Sequence, residues 1–263
     1  MEEYKQNVLL KVSYDGSDFS GWQVQKKNGI LLGGTVQESL EVALSKLHRC
    51  PIKTVAAGRT DAKVHAREQI VNFFTNIRGI SEKQFPIAIN SFLPKTIRVM
   101  EARFVIPSFS ARFNALYRTY RYFIICAEHI YPYDQRYCLH LRRYPSLKAL
   151  NSLCEVLYGE KDFSFFAYSR DASISKWRYI RSAHFFTEGK YLIFEITASS
   201  FLWRMVRSIV GTLLDYENKG YNVSKLKDAI LKKDRSYTGP TAPPHALFLW
   251  SVEYPENVYC EKG

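Results

Sequence analysis

Ala57-Gly58-Arg59-Thr60-Asp61-Ala62-Lys63-Val64-His65-Ala66 links a short strand expected over 52–56 to a second over Gln69–Thr75. A link of this kind sits at the end of a sheet, and loops held by a rigid sheet are where catalytic groups concentrate. Its residue types suit chemistry. Gly58 permits backbone conformations that other residues avoid, Arg59 can pair with phosphate or stack on a base, and Asp61 supplies a carboxylate. The same letters also spell plain structure. Thr-Asp after Gly is an ordinary side-chain-capped turn, and a histidine such as His65 is more often packed than catalytic.

Outward from this loop, strands and helices alternate. Val8–Asp15 is expected as a strand, with apolar residues at 8, 10, 12 and 14. A glycine-rich loop follows, and Thr35 with Glu38 forms a capping box for a helix that buries Val36, Leu40, Ala43, Leu44 and Leu47. A helix after Ser81 contains Pro86, which blurs its start. Ile97–Ile106 and Tyr117–Cys126 are expected as strands, and 147–158 as a helix stopped by Gly159. Glu188-Gly189-Lys190 turns a hairpin between Ile180–Thr187 and Tyr191–Ala198. Helices over 201–216 and 224–232 and a strand over 246–253 complete the chain. Strands outnumber helices and several are sequence neighbours, so the fold class is α+β with a largely antiparallel sheet. The strand-helix-strand pattern occurs before about residue 105 and again after it, which divides the chain into halves 1–105 and 106–263.

Composition narrows the function. Of the 263 residues, 46% are hydrophobic and 24% charged, the balance of a globular chain with a core. No run approaches the eighteen apolar residues of a membrane span, and Met1-Glu2-Glu3-Tyr4-Lys5-Gln6 lacks the features of a signal peptide. Five cysteines, at 50, 126, 138, 154 and 260, show no metal-ligand spacing and suit a reducing compartment. The expectation is a cytoplasmic protein with no metal. The formal net charge is +12, and residues 51–100 and 101–150 each carry eight basic against three acidic residues. That excess favours a polyanionic partner, and an aromatic fraction of 15% suits stacking on unpaired bases.

The loop around Asp61 resembles the signature G-R-T-D-x-G-V-H-A of the TruA family of tRNA pseudouridine synthases, at seven of eight fixed positions; Lys63 stands where the family usually has glycine. Tyr14-Asp15-Gly16 with Phe19-Ser20-Gly21-Trp22-Gln23 is similar to its first strand and loop, and Thr35-Val36-Gln37 to its opening helix. Phe109-Ser110-Ala111-Arg112-Phe113 and Tyr120-Arg121-Tyr122 resemble its central motif. Met205-Val206-Arg207-Ser208-Ile209-Val210-Gly211 resembles its late helix, and Thr241-Ala242-Pro243-Pro244 with Leu247 its C-terminal motif, where Ala246 replaces the common glycine.

The resemblance implies two ferredoxin-like α+β halves forming a joined, mostly antiparallel sheet with a central active-site cleft, the first half carrying the Asp61 loop and the second Tyr120 and the late motifs. It implies a cofactor-free isomerase that breaks the N1–C1′ bond of a tRNA uridine, turns the base and rejoins it through C5, at positions 38, 39 and 40 of the anticodon stem and loop. Asp61 matches the essential aspartate, which attacks the sugar or the base or removes a sugar proton. Tyr120 matches the tyrosine that stacks on the target base. Arg59 matches the arginine that draws the uridine out of its stack. Arg207 is a candidate to pair with Asp61 and keep it charged, and Leu247 to wall the pocket. A homodimer in which one tRNA touches both subunits is implied as well. A non-catalytic tRNA-binding or RNA-chaperone protein on the same scaffold predicts the same charge and aromatics. A metal-dependent RNase would need clustered acidic or histidine ligands, and residues 51–150 hold only six acidic residues.

Overall fold

The computed structural model describes residues 5–23, 25–27, 30–32 and 34–260. Met1–Tyr4, read above for a leader, and Gly29 and Gly33 of the glycine-rich loop lie outside the described residues. The chain forms two compact units, one holding the chain up to Leu116 and again from Leu249, the other Tyr117–Phe248.

In the first unit β1 (Gln6–Tyr14) is followed by a small antiparallel pair, β2 (Gln25–Lys27) and β3 (Ile30–Leu32), and by α1 (Val36–His48). Then come β4 (Val55–Ala56), β5 (His65–Thr75), α2 (Gln84–Asn90) and β6 (Ile97–Val105). β1 is central, with Leu10 opposite Val71 on β5 and Ala102 on β6, both antiparallel. Thr35 Oγ1 accepts from Glu38 N at 3.2 Å, while the Glu38 carboxylate accepts from Gly34 N at 3.0 Å. The capping box therefore forms with its return bond one residue early. Val36, Leu40, Ala43 and Leu44 are buried as the period predicts; Leu47 is only half-buried, and Glu41 and His48 take inward places instead. Glu41 can do so because Thr54 donates to it from its backbone N and its hydroxyl. Pro86 falls in the first turn of α2, where its missing N–H costs no helical bond.

Residues 106–116 belong to this unit. Asn7 Nδ2 donates to Phe109 O at 2.8 Å, Asn72 Nδ2 donates to Asn7 Oδ1, and Ala111 N donates to Asn72 Oδ1. A buried amide pair thus fastens the Phe109–Phe113 motif across β1 and β5. The division drawn at 105 from the sequence lies, in these units, between Leu116 and Tyr117, and the chain from Leu249 rejoins the first.

The second unit holds β7 (Tyr117–Cys126), β8 (Leu139–Leu141), α3 (Leu147–Cys154), β9 (Gly159–Asp162), β10 (Trp177–Glu188), β11 (Tyr191–Ala198), α4 (Met205–Asn218) and α5 (Val223–Lys232). Its strands run β7-β11-β10-β9, antiparallel, with β8 parallel to β7. The last strand, β12 (Leu247–Glu253), neighbours β5. The protein is α+β, with mostly antiparallel sheet in each unit. On β7, Tyr120, Tyr122 and Ile124 alternate inward, facing Ile196, Phe194 and Leu192 of β11. Beyond its pairing with β9, β10 is capped by side chains: Asn151 exchanges two bonds with the backbone of Phe185, and Tyr158 donates to Ala183 O. Two helices differ from expectation. The 147–158 segment is α-helical only to Cys154 and finishes as a 3₁₀ turn at Glu155–Leu157. The 201–216 helix begins only at Met205, because Arg204 takes a left-handed φ of 59°.

Candidate active site

Two early motif segments meet the Asp61 loop in the first unit. Ala57 N donates to Ile70 O, and Gln69 Nε2 to Gly58 O, so the loop leaves the sheet on a fixed footing. Thr60 points inward and shares a 2.7 Å hydrogen bond with the Tyr14 hydroxyl. Burial raises that hydroxyl far above its ordinary pKa, although the bonds with Thr60 and Gln69 pull the other way, so Tyr14 stays neutral here. Trp22 N donates to Thr60 O, Lys63 N to Phe19 O, and Val64 N to Asp61 O. Gly16 N donates to Nδ1 of the buried His65 at 3.0 Å. Gly21 carries φ +104°, and a Cβ there would lie 2.9 Å from Thr60 O; only glycine lets this segment lie so flat against the loop. The Tyr14–Gly16 and Phe19–Gln23 segments are thus the clamp on the Asp61 loop, a role the letters alone do not reveal.

What the clamp presents is a half-buried Asp61 and, two residues away, an exposed Arg59 that makes no ion pair among the described residues. Gly58 corrects the reading above. Its φ is not left-handed and a Cβ there would meet nothing within 4 Å. The left-handed position is Lys63, at φ +65°. A non-glycine residue there costs about 1–2 kcal/mol, offset in part by the roughly 0.5–1 kcal/mol of extra chain entropy a glycine would lose. Lys63→Gly is accordingly expected to stabilise the protein by about 0.5–1 kcal/mol. Thermal unfolding checks this; a lowered midpoint would show that Lys63 is held by favourable contacts and not strained.

Tyr120, Arg207 and Leu247 lie in the second unit. Tyr120 is 9% exposed, with its ring edge-on to Phe201 at 5.1 Å between centroids. Arg207, in the first turn of α4, donates from Nε to Ala242 O at 2.8 Å, and Ala242 N donates back to Arg207 O. Tyr122 donates to Pro243 O, and Leu247 is buried where that segment enters β12. The late helix and the C-terminal motif are therefore one packed piece. A Cβ on Gly211 would lie 1.7 Å from Pro240 O, which explains a glycine in mid-helix. No group of three or more His, Cys, Asp or Glu side chains fit to hold a metal occurs among the described residues. No helix there is long and apolar enough to cross a membrane.

The candidate groups are thus a clamped aspartate–arginine loop at a sheet end of the first unit and a buried tyrosine and helical arginine in the second. Comparison with known proteins is specific. The family described as tRNA pseudouridine synthase matches residues 11–114 and 153–255. A protein of Treponema denticola named tRNA pseudouridine synthase A is 52% identical over 258 residues, covering 98% of this chain and 96% of its own. Namesakes from Treponema pallidum and Borrelia duttonii are 42% and 39% identical, covering 93% and 94% of this chain and 86% and 98% of theirs. This chain belongs to the tRNA pseudouridine synthase family.

Proposed function

We propose that this protein isomerises uridine to pseudouridine in tRNA, with positions 38, 39 and 40 of the anticodon stem and loop as its targets. Membership of the family over nearly the whole chain, with Asp61 and Arg59 intact in its signature loop, carries this reading. The N1–C1′ bond breaks, the base turns, C5 bonds to C1′, and the hydrogen of C5 leaves to solvent while N1 gains a proton. Electrons balance within the substrate, so the step needs no redox partner or cofactor. Asp61 acts as the ionised carboxylate at the sugar or the base, and Arg59, exposed and without an acidic partner among the described residues, takes a phosphate as the uridine leaves its stack. The second half contributes Tyr120 as the ring under the base, Leu247 as apolar wall and Arg207 as the cation that keeps Asp61 charged. The protein works as a homodimer on one tRNA. A carboxylate two residues from Arg59 has no use in mere RNA binding, which favours an enzyme over a binder.

Unmodified tRNA tritiated at uridine C5 tests the proposal. Release of tritium, mapped to 38–40, is expected; no release from any competent tRNA would overturn it. Tyr120 is tested separately. Tyr120→Ala should remove a stacking surface worth about 1–3 kcal/mol, while Tyr120→Phe keeps the ring. Near-normal turnover by Phe assigns the residue to stacking, and a defect equal to that of Ala gives the hydroxyl a chemical task. Normal turnover by Ala would place Tyr120 in the core alone.

A further inference from the structure

Tyr168, Trp203 and Arg204 form a cluster in the second unit that none of the roles above uses. The Arg204 guanidinium lies 4.1 Å from the Tyr168 ring centroid and 5.4 Å from that of Trp203, and the two rings meet edge to face at 4.7 Å. The cluster is built rather than incidental. Tyr168 N donates to Trp203 O at 3.1 Å, and Trp203 N donates to Asp171 Oδ2 at 2.7 Å. Burial alone would raise the Asp171 carboxyl, but bonds from Lys176 and from the backbone N–H groups of Trp203 and Ser173 outweigh it and hold it far below the usual carboxylate range. Asp171 is therefore a permanent, fully engaged anchor, and its charge is matched by Lys176.

Arg204 is placed at some expense and left without an acceptor. Its backbone adopts a left-handed φ of 59°, its Nε is buried with no hydrogen-bond partner, and no acidic group pairs with it among the described residues. A guanidinium stacked on an aromatic face keeps its N–H edge for a planar or tetrahedral anion. It sits at the start of α4, whose first turn carries no side-chain cap and whose dipole favours negative charge. Beside it the Trp203 indole is 43% exposed, a large apolar ring offered to solvent. Arg170, two residues after Tyr168, is exposed as well and has no acidic partner among the described residues.

We infer that Trp203 and Arg204, backed by Tyr168, form a subsite for one unpaired RNA nucleotide, the base stacking on the indole and the phosphate on the guanidinium. This rests on tRNA being the substrate, and it adds a contact outside the catalytic loop. Base stacking is sequence-tolerant, so the subsite sets affinity and position rather than base identity.

The test uses the full chain with unmodified tRNA and a short oligouridylate. Trp203→Ala should weaken tRNA binding by roughly five- to a hundred-fold, the worth of one stacked base, and raise KM far more than it lowers kcat. Trp203→Phe should recover most of that loss. Arg204→Gln should make the salt dependence of log Kd shallower by about 0.7–1, one phosphate contact, and Arg204→Lys should not restore full affinity, because the planar stack is gone. Oligouridylate should quench tryptophan fluorescence in the native protein and distinctly less in Trp203→Phe, a signature that a purely structural role would not give. If folded Trp203→Ala and Arg204→Gln proteins bind and turn over tRNA normally while Asp61→Asn is inactive, the subsite is wrong and the enzyme reading stands. If they bind tRNA normally but change the molar mass in solution, the cluster is a protein contact and the inference is overturned. No tritium release from any competent tRNA by the native protein would instead overturn the function on which the inference rests.

Discussion

Asp61→Asn is expected to abolish isomerisation while leaving the protein folded and able to bind tRNA. The swap keeps size and polarity and removes only the charge. Three of the loop's bonds are unaffected, since Val64 N donates to the backbone oxygen of residue 61 and the Thr60–Tyr14 and Trp22–Thr60 bonds do not involve its side chain. Loss of a nucleophile or base costs orders of magnitude in turnover, so activity should fall to near background. Removing a negative charge from a phosphate-binding loop should leave tRNA affinity unchanged or slightly higher. A residue that merely capped the turn would behave in the opposite way: Asn caps about as well as Asp, so stability would hold and each folded molecule would keep its activity. Turnover, tRNA affinity and melting midpoint measured on one preparation separate the two. Substantial isomerisation by the Asn protein, once deamidation back to Asp is excluded, would remove Asp61 from the mechanism.

Gly211→Ala should produce the largest loss of stability, with a sign opposite to helix propensity. Alanine is favoured over glycine by about 1 kcal/mol in a helix interior, and position 211 is well inside α4. The new Cβ, however, would sit 1.7 Å from Pro240 O and 3.1 Å from Ala242 N, both backbone atoms. Overpacking of this kind costs about 1–3 kcal/mol or more, and the melting midpoint should fall by several degrees, at about 2–4 °C per kcal/mol. Activity should fall too, because the displaced segment carries the Ala242 carbonyl that holds Arg207, and leads to Leu247. Gly58→Ala is the control for stability: its Cβ would enter open space, and the midpoint should not move. A Gly211→Ala protein as stable as the parent would mean that residues 240–242 do not press on α4.

These two residues also mark how far the sequence could be read. The Asp61 loop is legible because its polar, glycine-led run interrupts two apolar strands, and the element pattern is legible wherever a period of two or 3.6 persists. Short strands such as β8 and β9 span too few residues for any period to register. Phe201 and Leu202 fit the apolar spacing of the following helix, so nothing in the letters warns that Arg204 turns the chain left-handed before it. The clamp of Gly16 and Gly21 on the loop is a contact between segments some 40 residues apart, and a string of residues carries no such distance. Tyr168 and Trp203 are similarly remote in sequence, and their backbone bond, ring contact and shared hold on Arg204 make them a unit.

The first unit is discontinuous in the chain, and this has a consequence for synthesis on the ribosome. β5 gains its β12 neighbour only from Leu249 onward, after the whole of Tyr117–Phe248 has been made. At about 5–20 residues per second, translation of the intervening segment takes on the order of ten seconds. Throughout that time the margin of β5 opposite β1 is covered only by the two-residue β4, with Val55 opposite Asn72 and Ala56 opposite Val71. The contiguous second unit can close first. The nascent protein thus passes through a stage in which the strand anchoring its aspartate loop is covered on one edge by β4 alone, and the last strand to leave the ribosome completes that edge.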